Sequence, residues 1–392
     1  MKTNSLATAL LVFAAAPLAP ADGPKLVRET VLMKVQTEFY GIPGIVRLSP
    51  DGEHLLLMRP LASKPAAAPR PRERDPRRGR ARHMALRQWK TRVERAVPIP
   101  PFTGAGSALV MGIPNPFSAD GRLLVVPAGV DADGSGFFSP GREQVQPGVY
   151  DIERGTLRRI DVRGTWMIAL FDAAGKHLLF TVLDRRSPPA GRMYVAPVET
   201  LKPKLLAPWG LPRAPRPGGT MVVLGRFAVP PGGGRPVSKL LLYDFAKGAE
   251  VADIPVQDPA GLLDVVAPQW TADGRYLYYI DAEAARAGDG GPVRRKTFTR
   301  VWDARQRKEV ARLSGCLPIG PCGGRTTMVL SKWGRATPAL LHDAATGKQQ
   351  PLKGPTPIHP ISTNGTYLVY DRRDDQGNHF LYRAEIRTAA EP

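Results

Sequence analysis

Ser49-Pro50-Asp51-Gly52-Glu53-His54-Leu55-Leu56-Leu57-Met58 reads as a tight turn followed by a short apolar strand. Asp-Gly between two short apolar runs is a strong hairpin signal, because both residues tolerate the positive φ that such a turn demands. The pattern returns as Ser118-Ala119-Asp120-Gly121 before Leu123-Leu124-Val125-Val126, and as Asp172-Ala173-Ala174-Gly175 before Leu178-Leu179-Phe180. It returns again as Thr271-Ala272-Asp273-Gly274 before Tyr276-Leu277-Tyr278-Tyr279, and as Ser362-Thr363-Asn364-Gly365 before Tyr367-Leu368-Val369-Tyr370. The last two gaps between these glycines are the longest, and each holds a degenerate copy. Gly218-Gly219 precedes Met221-Val222-Val223-Leu224, and Gly323-Gly324 precedes Met328-Val329-Leu330.

A second motif follows at a distance: an aromatic residue or His, then Asp, with Gly four residues after the Asp. Tyr150-Asp151 with Gly155, Tyr243-Asp244 with Gly248 and His342-Asp343 with Gly347 fit it; Trp302-Asp303 fits the pair but has Arg307 in the place of Gly. Each pair opens a second hairpin, so each unit supplies four strands. Seven such units of about 50 residues predict an all-β fold, a β-propeller of seven four-stranded blades, with six or eight as the neighbouring counts. Tyr276, Tyr278 and Tyr279 are expected in the core between blades.

With its Ser-Pro-Asp-Gly turn leading into an apolar strand, the chain resembles the TolB-type, WD-repeat-like bacterial propellers over residues 40–388. These motifs are specific for fold and not for activity. TolB itself carries a separate α/β domain ahead of its propeller. Residues 22–46 are too few for one, so the role of TolB in envelope-spanning complexes is not carried over. The resemblance also implies that the Asp-Gly turn joins the first and second strands of a blade, which puts the second-to-third loops on the opposite face.

Residues 1–21 read as a secretory signal: Lys2, an apolar run over 6–16 broken only by Thr8, and Ala19-Pro20-Ala21 as the cleavage site. An uncleaved anchor helix is the alternative, but the run is short for a bilayer and Pro17 interrupts it. The protein is expected in the periplasm or outside the cell, with no transmembrane segment after cleavage. Residues 22–46 form an N-terminal segment in which a strand near Ile45 closes the ring, and 47–390 form the propeller. Cys316 and Cys322 are the two cysteines, and export favours one small-loop disulfide over two unlinked thiols.

The net charge is +20 over 392 residues, which implies affinity for polyanions but says nothing of the fold. The longest insertions fall in second-to-third loops, and insertions grouped on one face of a repeat protein mark a binding face. The first, at about 62–86, is expected to be disordered; the stretch 64–95 carries twelve Lys or Arg and three acids. Other loops on that face contribute Arg185, Arg186, Arg192, Arg235, Lys239, Arg294, Arg295, Lys296 and Arg335. Asp131, Asp133 and Glu143 in blade two, and Asp374 and Asp375 in blade seven, offset it. A merely solubilising surface is the competing account of this charge.

Chemistry is sparse. Asp131, Asp133 and Ser135 place oxygens at alternate positions, as part of a calcium loop would, but Arg142 stands where the bidentate acid belongs and no helices flank it. The six His residues do not cluster, and neither H-E-x-x-H nor G-x-S-x-G occurs. No signature of sequence-specific nucleic-acid recognition appears. The expectation is a monomeric, non-catalytic binding or scaffolding propeller of the cell envelope. Its basic loop face would engage an anionic polymer or an acidic protein, and it needs no cofactor beyond a candidate calcium. The alternative is an enzyme with a site at the channel mouth, lactonase- or lyase-like and metal-dependent.

Overall fold

The computed structural model describes residues 23–35, 47–60, 82–101, 115–129, 145–162, 164–183, 191–206, 210–228, 237–257, 268–286, 293–332, 338–355 and 358–388. Among the described residues there are strands and turns and no helix. Seven antiparallel sheets succeed one another as the blades of a β-propeller: 47–96, 123–159, 165–206, 211–254, 269–314, 316–351, and 359–387 joined by Lys25–Val35. Six blades have four strands. Among the described residues blade 2 has three, with the bridge Phe117–Leu124 on the first-strand side. The degenerate copies at Gly218 and Gly323 are genuine turns, with φ of 74° and 43°.

Lys25–Val35 pairs antiparallel with His379–Arg387 and forms the outermost strand of blade 7, so the two ends of the chain close the ring. The closing strand therefore lies earlier than expected, and Ile45 is outside the described residues. Its register slips between Val27 and Thr30, where Arg28 takes a φ of 52°. The slip turns Glu29 toward blade 7. There the Tyr370 hydroxyl donates to it, and Arg372 donates at 2.9 and 3.1 Å.

The core lies between blades and follows from strand alternation. Leu55 and Leu57 pack with Leu32, Leu48, Val369 and Leu381 toward blade 7, while Leu56 and Met58 face blade 2. Likewise Leu277 and Tyr279 face blade 4, and Tyr276 and Tyr278 face blade 6, all four buried.

The repeated turns are held by their own side chains. The Ser118 hydroxyl accepts from the amide of Leu123 at 2.8 Å, and Asp120 accepts from that of Arg122 at 3.1 Å. Ser49–Asp51 and Thr271–Asp273 repeat this arrangement. Gly121 is required twice over: its φ is 73°, and a Cβ there would meet Asp51 of the preceding blade at 2.5 Å. Neighbouring turns thus interlock around the ring. Asn364 donates to the carbonyl of Pro50 at 3.0 Å, and the amide of Gly323 donates to Gly365 at 3.1 Å.

In the second turns, Gly155, Gly248 and Gly347 have φ of 68°, 67° and 71°. Arg307, in the place of the fourth glycine, adopts the same left-handed conformation at 53°.

Candidate functional site

Each blade runs up and down in sequence order, so the repeated turns lie on one face and the second-to-third loops on the other. On the turn face the acids are committed to structure. Asp151, Asp244, Asp303 and Asp343 each accept from backbone amides within their own turns. Burial alone would raise these carboxyls. The amides, with Arg122 at Asp151, Lys247 and Thr220 at Asp244, Arg275 at Asp303 and Thr326 and Thr346 at Asp343, outweigh it and hold them below the usual range. A cleft of about 330 Å³ opens between the turns of blades 5 and 6 beside Arg275, Asp303 and Thr346. Arg275 is occupied there, bonded to Asp303 at 2.8 and 3.0 Å.

Part of the positive charge is internal. Arg213, Arg300 and Arg383 are buried. Arg300 pairs with Asp281 at 2.7 Å and with Glu309. The Arg383 guanidinium lies 3.8 Å from the Trp89 ring and 3.5 Å from the Tyr367 ring, at the seam between blades 7 and 1. Other arginines staple neighbouring blades through carbonyls: Arg158 to Val198 and Glu199 at 2.9 Å each, and Arg216 to Gly274 at 2.7 Å. These roles are invisible in a sequence, where every arginine counts equally toward net charge.

Exposed cations lie on both faces, with Arg154, Lys176, Lys247, Arg305 and Lys348 among those of the turn face. On the loop face Arg192 and Lys296 stand exposed near the start of third strands, as do Lys239 in blade 4 and, at the end of the second strand of blade 6, Lys332. Arg294 and Arg295 belong to the strand Val293–Asp303. Arg185, Arg186, Arg235 and Arg335 lie outside the described residues, as do Asp131, Asp133 and Ser135. Some arginines on the second strands are already paired with acids of outer strands: Arg59 with Glu94 at 2.6 Å and Arg372 with Glu29 at 2.9 Å.

Two expectations need correction. The basic insertion does not extend to residue 86: Arg82–Gln88 is the third strand of blade 1, with Met84, Ala85 and Leu86 buried. These residues alternate in the manner of a core strand, so only 61–81 lies outside the described residues. Nor do Cys316 and Cys322 form a disulfide; both are free and buried. The extended strand Cys316–Pro321 separates them, and six residues at about 3.3 Å each span far more than the 4.4–6.8 Å that a disulfide allows between Cα atoms. They sit in different inter-blade cores.

Three polar clusters escaped the sequence reading. The Tyr278 hydroxyl and His342 Nδ1 share a hydrogen bond of 2.6 Å between blades 5 and 6. His379 Nδ1 donates to Asp371 at 3.0 Å while its Nε2 accepts from Arg373 at 2.7 Å. Asp281, Arg300 and Glu309 form the third. Their members lie far apart in sequence, and only pairing of strands brings them together. Among the described residues no group of three His, Cys, Asp or Glu could hold a metal ion. No helix of the described residues is long and apolar enough to cross a membrane.

No protein family matches the sequence, and no curated protein does. Solved structures do. An oligogalacturonate lyase in complex with manganese is 13% identical, with a TM-score of 0.52 over 93% of this chain and 96% of that one. The β-propeller domain of the Trilobed protease from Pyrococcus furiosus is 10% identical, with a TM-score of 0.53 over 95% of this chain and 97% of that one. TolB from Acinetobacter baumannii aligns at 13% identity and a TM-score of 0.40 over 79% of this chain and 77% of that one, too loose a match to bear on the family. At these identities the likeness establishes the propeller fold and nothing about activity.

Proposed function

We propose that this protein is a TolB-type binding propeller of the cell envelope, exported by residues 1–21, whose second-to-third loop face engages an anionic polymer or an acidic protein. The observation that carries this reading is topological: the long Lys- and Arg-rich insertions fall in second-to-third loops, which leave from one face, whereas the turn-face acids Asp151, Asp244, Asp303 and Asp343 are held in backbone hydrogen bonds. Cations grouped on one face raise the local concentration of a polyanion, and the attraction weakens with salt. Nothing in this reading requires a catalytic group.

The test is binding of the purified protein to polyglutamate and to oligogalacturonate at rising salt, beside a variant lacking residues 62–81. The deletion stops before Arg82 because the next residues form the sheet of blade 1. Salt-sensitive binding that weakens in the variant supports the reading. Absence of binding at low salt, or binding indifferent to salt, contradicts it. The lyase-like alternative is checked in parallel by following oligogalacturonate cleavage with and without added manganese.

A further inference from the structure

The second-to-third connection of blade 7, residues 374–378, lies wholly within the described residues. Asp374 closes it. Its carboxylate accepts from the amides of Gln376 at 3.0 Å and Asn378 at 2.7 Å and from the Asn378 side chain at 2.9 Å, and Gly377 takes a φ of 80°. The tight loop sets Arg373, at the end of Tyr367–Arg373, directly across from His379, at the start of His379–Arg387.

His379 is held at both ring nitrogens. The Arg373 Nε–H donates to Nε2 at 2.7 Å. A guanidinium can only donate, so Nε2 carries no proton. The proton therefore sits on Nδ1, which lies 3.0 and 3.2 Å from the two Asp371 oxygens. This arrangement exists only for a neutral imidazole. A second proton would go to Nε2, the nitrogen that Arg373 occupies, and would set two cations against each other at hydrogen-bond distance. The bond to Asp371 would meanwhile become charge-assisted and stronger. Asp371 is buried and Arg373 is exposed, so Arg373 is the partner that leaves.

The surrounding charges leave Arg373 no second buried seat. Val369 packs against Leu55 and Leu57, so alternation turns Asp371 and Arg373 toward blade 1 as well. There Arg59 is already bonded to Glu94, and His83 stands opposite Arg59. On the first strand His359 stands opposite Asp371. On the closing strand Val35 stands opposite His379, and Lys34 lies over the Phe380 ring. Arg372, on the other side of the sheet, is bonded to Glu29. Asp374 is occupied within its own loop, and Asp375 is exposed to screening solvent.

We propose that His379 is a proton-operated catch on Arg373: neutral, it holds the guanidinium against blade 7; protonated, it releases Arg373 to the loop face, which then binds a polyanion more tightly as pH falls. The proposal rests on the loop-face reading above and adds its regulation. Histidine is the side chain suited to such a device near neutral pH.

The experiment has two readouts on the full chain. Nitrogen-15 NMR at pH 8 is expected to find the His379 proton on Nδ1 and a slowly exchanging Arg373 Nε–H. As His379 is protonated, that Nε–H is expected to become fast-exchanging. A proton on Nε2 at pH 8, or an Arg373 Nε–H still protected after His379 is charged, overturns the catch. The second readout is binding to dextran sulfate, whose charge is constant between pH 8 and pH 5, at low salt. Over that range the wild type is expected to gain about three- to tenfold in affinity beyond His379→Gln, as one or two added exposed ion pairs would give. Glutamine keeps a donor and an acceptor and does not titrate. Arg373→Gln is expected to lose part of the gain. If either variant keeps the full gain, the regulation is wrong although the loop-face reading survives. If the wild type binds dextran sulfate at neither pH, both fall.

Discussion

Replacing Gly121 by alanine tests whether the repeated turns lock the ring. Gly121 has a φ of 73°, and an added Cβ would lie 2.5 Å from the Asp51 carboxylate of the preceding blade. The left-handed backbone costs alanine about 1 kcal/mol or somewhat more. Asp51 cannot step aside freely, because it accepts from the Ser49 hydroxyl and from the Glu53 amide at 2.9 Å. Losing one or both of these bonds adds about 1 kcal/mol each, for a total near 3 kcal/mol. Gly155→Ala is the control. Its φ is 68° but nothing lies within 4 Å of the new Cβ, so the expected loss is only about 1 kcal/mol. Urea unfolding of both variants gives the comparison. Adding Asp51→Ala to Gly121→Ala should recover part of the loss, a non-additivity of about 1 kcal/mol, because the clash disappears with the carboxylate. Equal losses at Gly121 and Gly155, or strict additivity with Asp51→Ala, would refute the interlocked ring of turns.

Arg307→Gly should stabilise the protein by roughly 0.5–1 kcal/mol in urea, since a left-handed, exposed Arg307 is strained at 53° and glycine's unfolded-state entropy offsets only part of the relief; an unchanged or lower midpoint counts against the assigned turn. Burial holds His54, His83 and His342 below the usual histidine range, while the turn carboxylates of Asp151, Asp244, Asp303 and Asp343 also titrate low. Folded values below unfolded ones mean stability that is present at neutral pH and lost on acidification, first below about pH 6.5 and then more steeply below about pH 4. Urea midpoints that rise between pH 7 and pH 5 would contradict this sign. Burial pushes the Cys322 thiol up to about 12 and raises Cys316, so a thiol reagent should label neither in the folded protein and both after unfolding without reductant; an intact mass two hydrogens short would show a disulfide instead.

The blades were legible in the sequence because their turns are written in residues with one physical purpose. Asp-Gly at 51–52, 120–121 and 273–274 marks a positive φ and a side-chain cap, and even the bare glycines at 218 and 323 kept the conformational half of that signal. The closing strand was harder to place. Lys25–Val35 is flanked by no turn motif, and its pairing partner is more than 340 residues away, beyond the reach of any local pattern. The short inner strands were equally quiet, since Leu211–Pro215 and Cys316–Pro321 each contain two prolines that ordinarily argue against a strand. The cysteine spacing misled because six extended residues and a compact loop look alike in one dimension. For the candidate site, the sequence located the basic loops but not which of their residues continue a strand, as Arg294, Arg295 and Lys296 do within Val293–Asp303. It also could not separate Arg192 and Lys296 on the surface from Arg213, Arg300 and Arg383 inside.

The central claim, that the second-to-third loop face is the binding face, is tested most directly by lysine footprinting. The protein is acetylated with and without a saturating anionic polymer, and each lysine is quantified by mass spectrometry. Lys239, Lys296 and Lys332 report on the loop face; Lys176, Lys202, Lys247 and Lys348, equally exposed, report on the turn face. Protection confined to the first group is the predicted result. Protection of the second group, or of neither, would contradict the account.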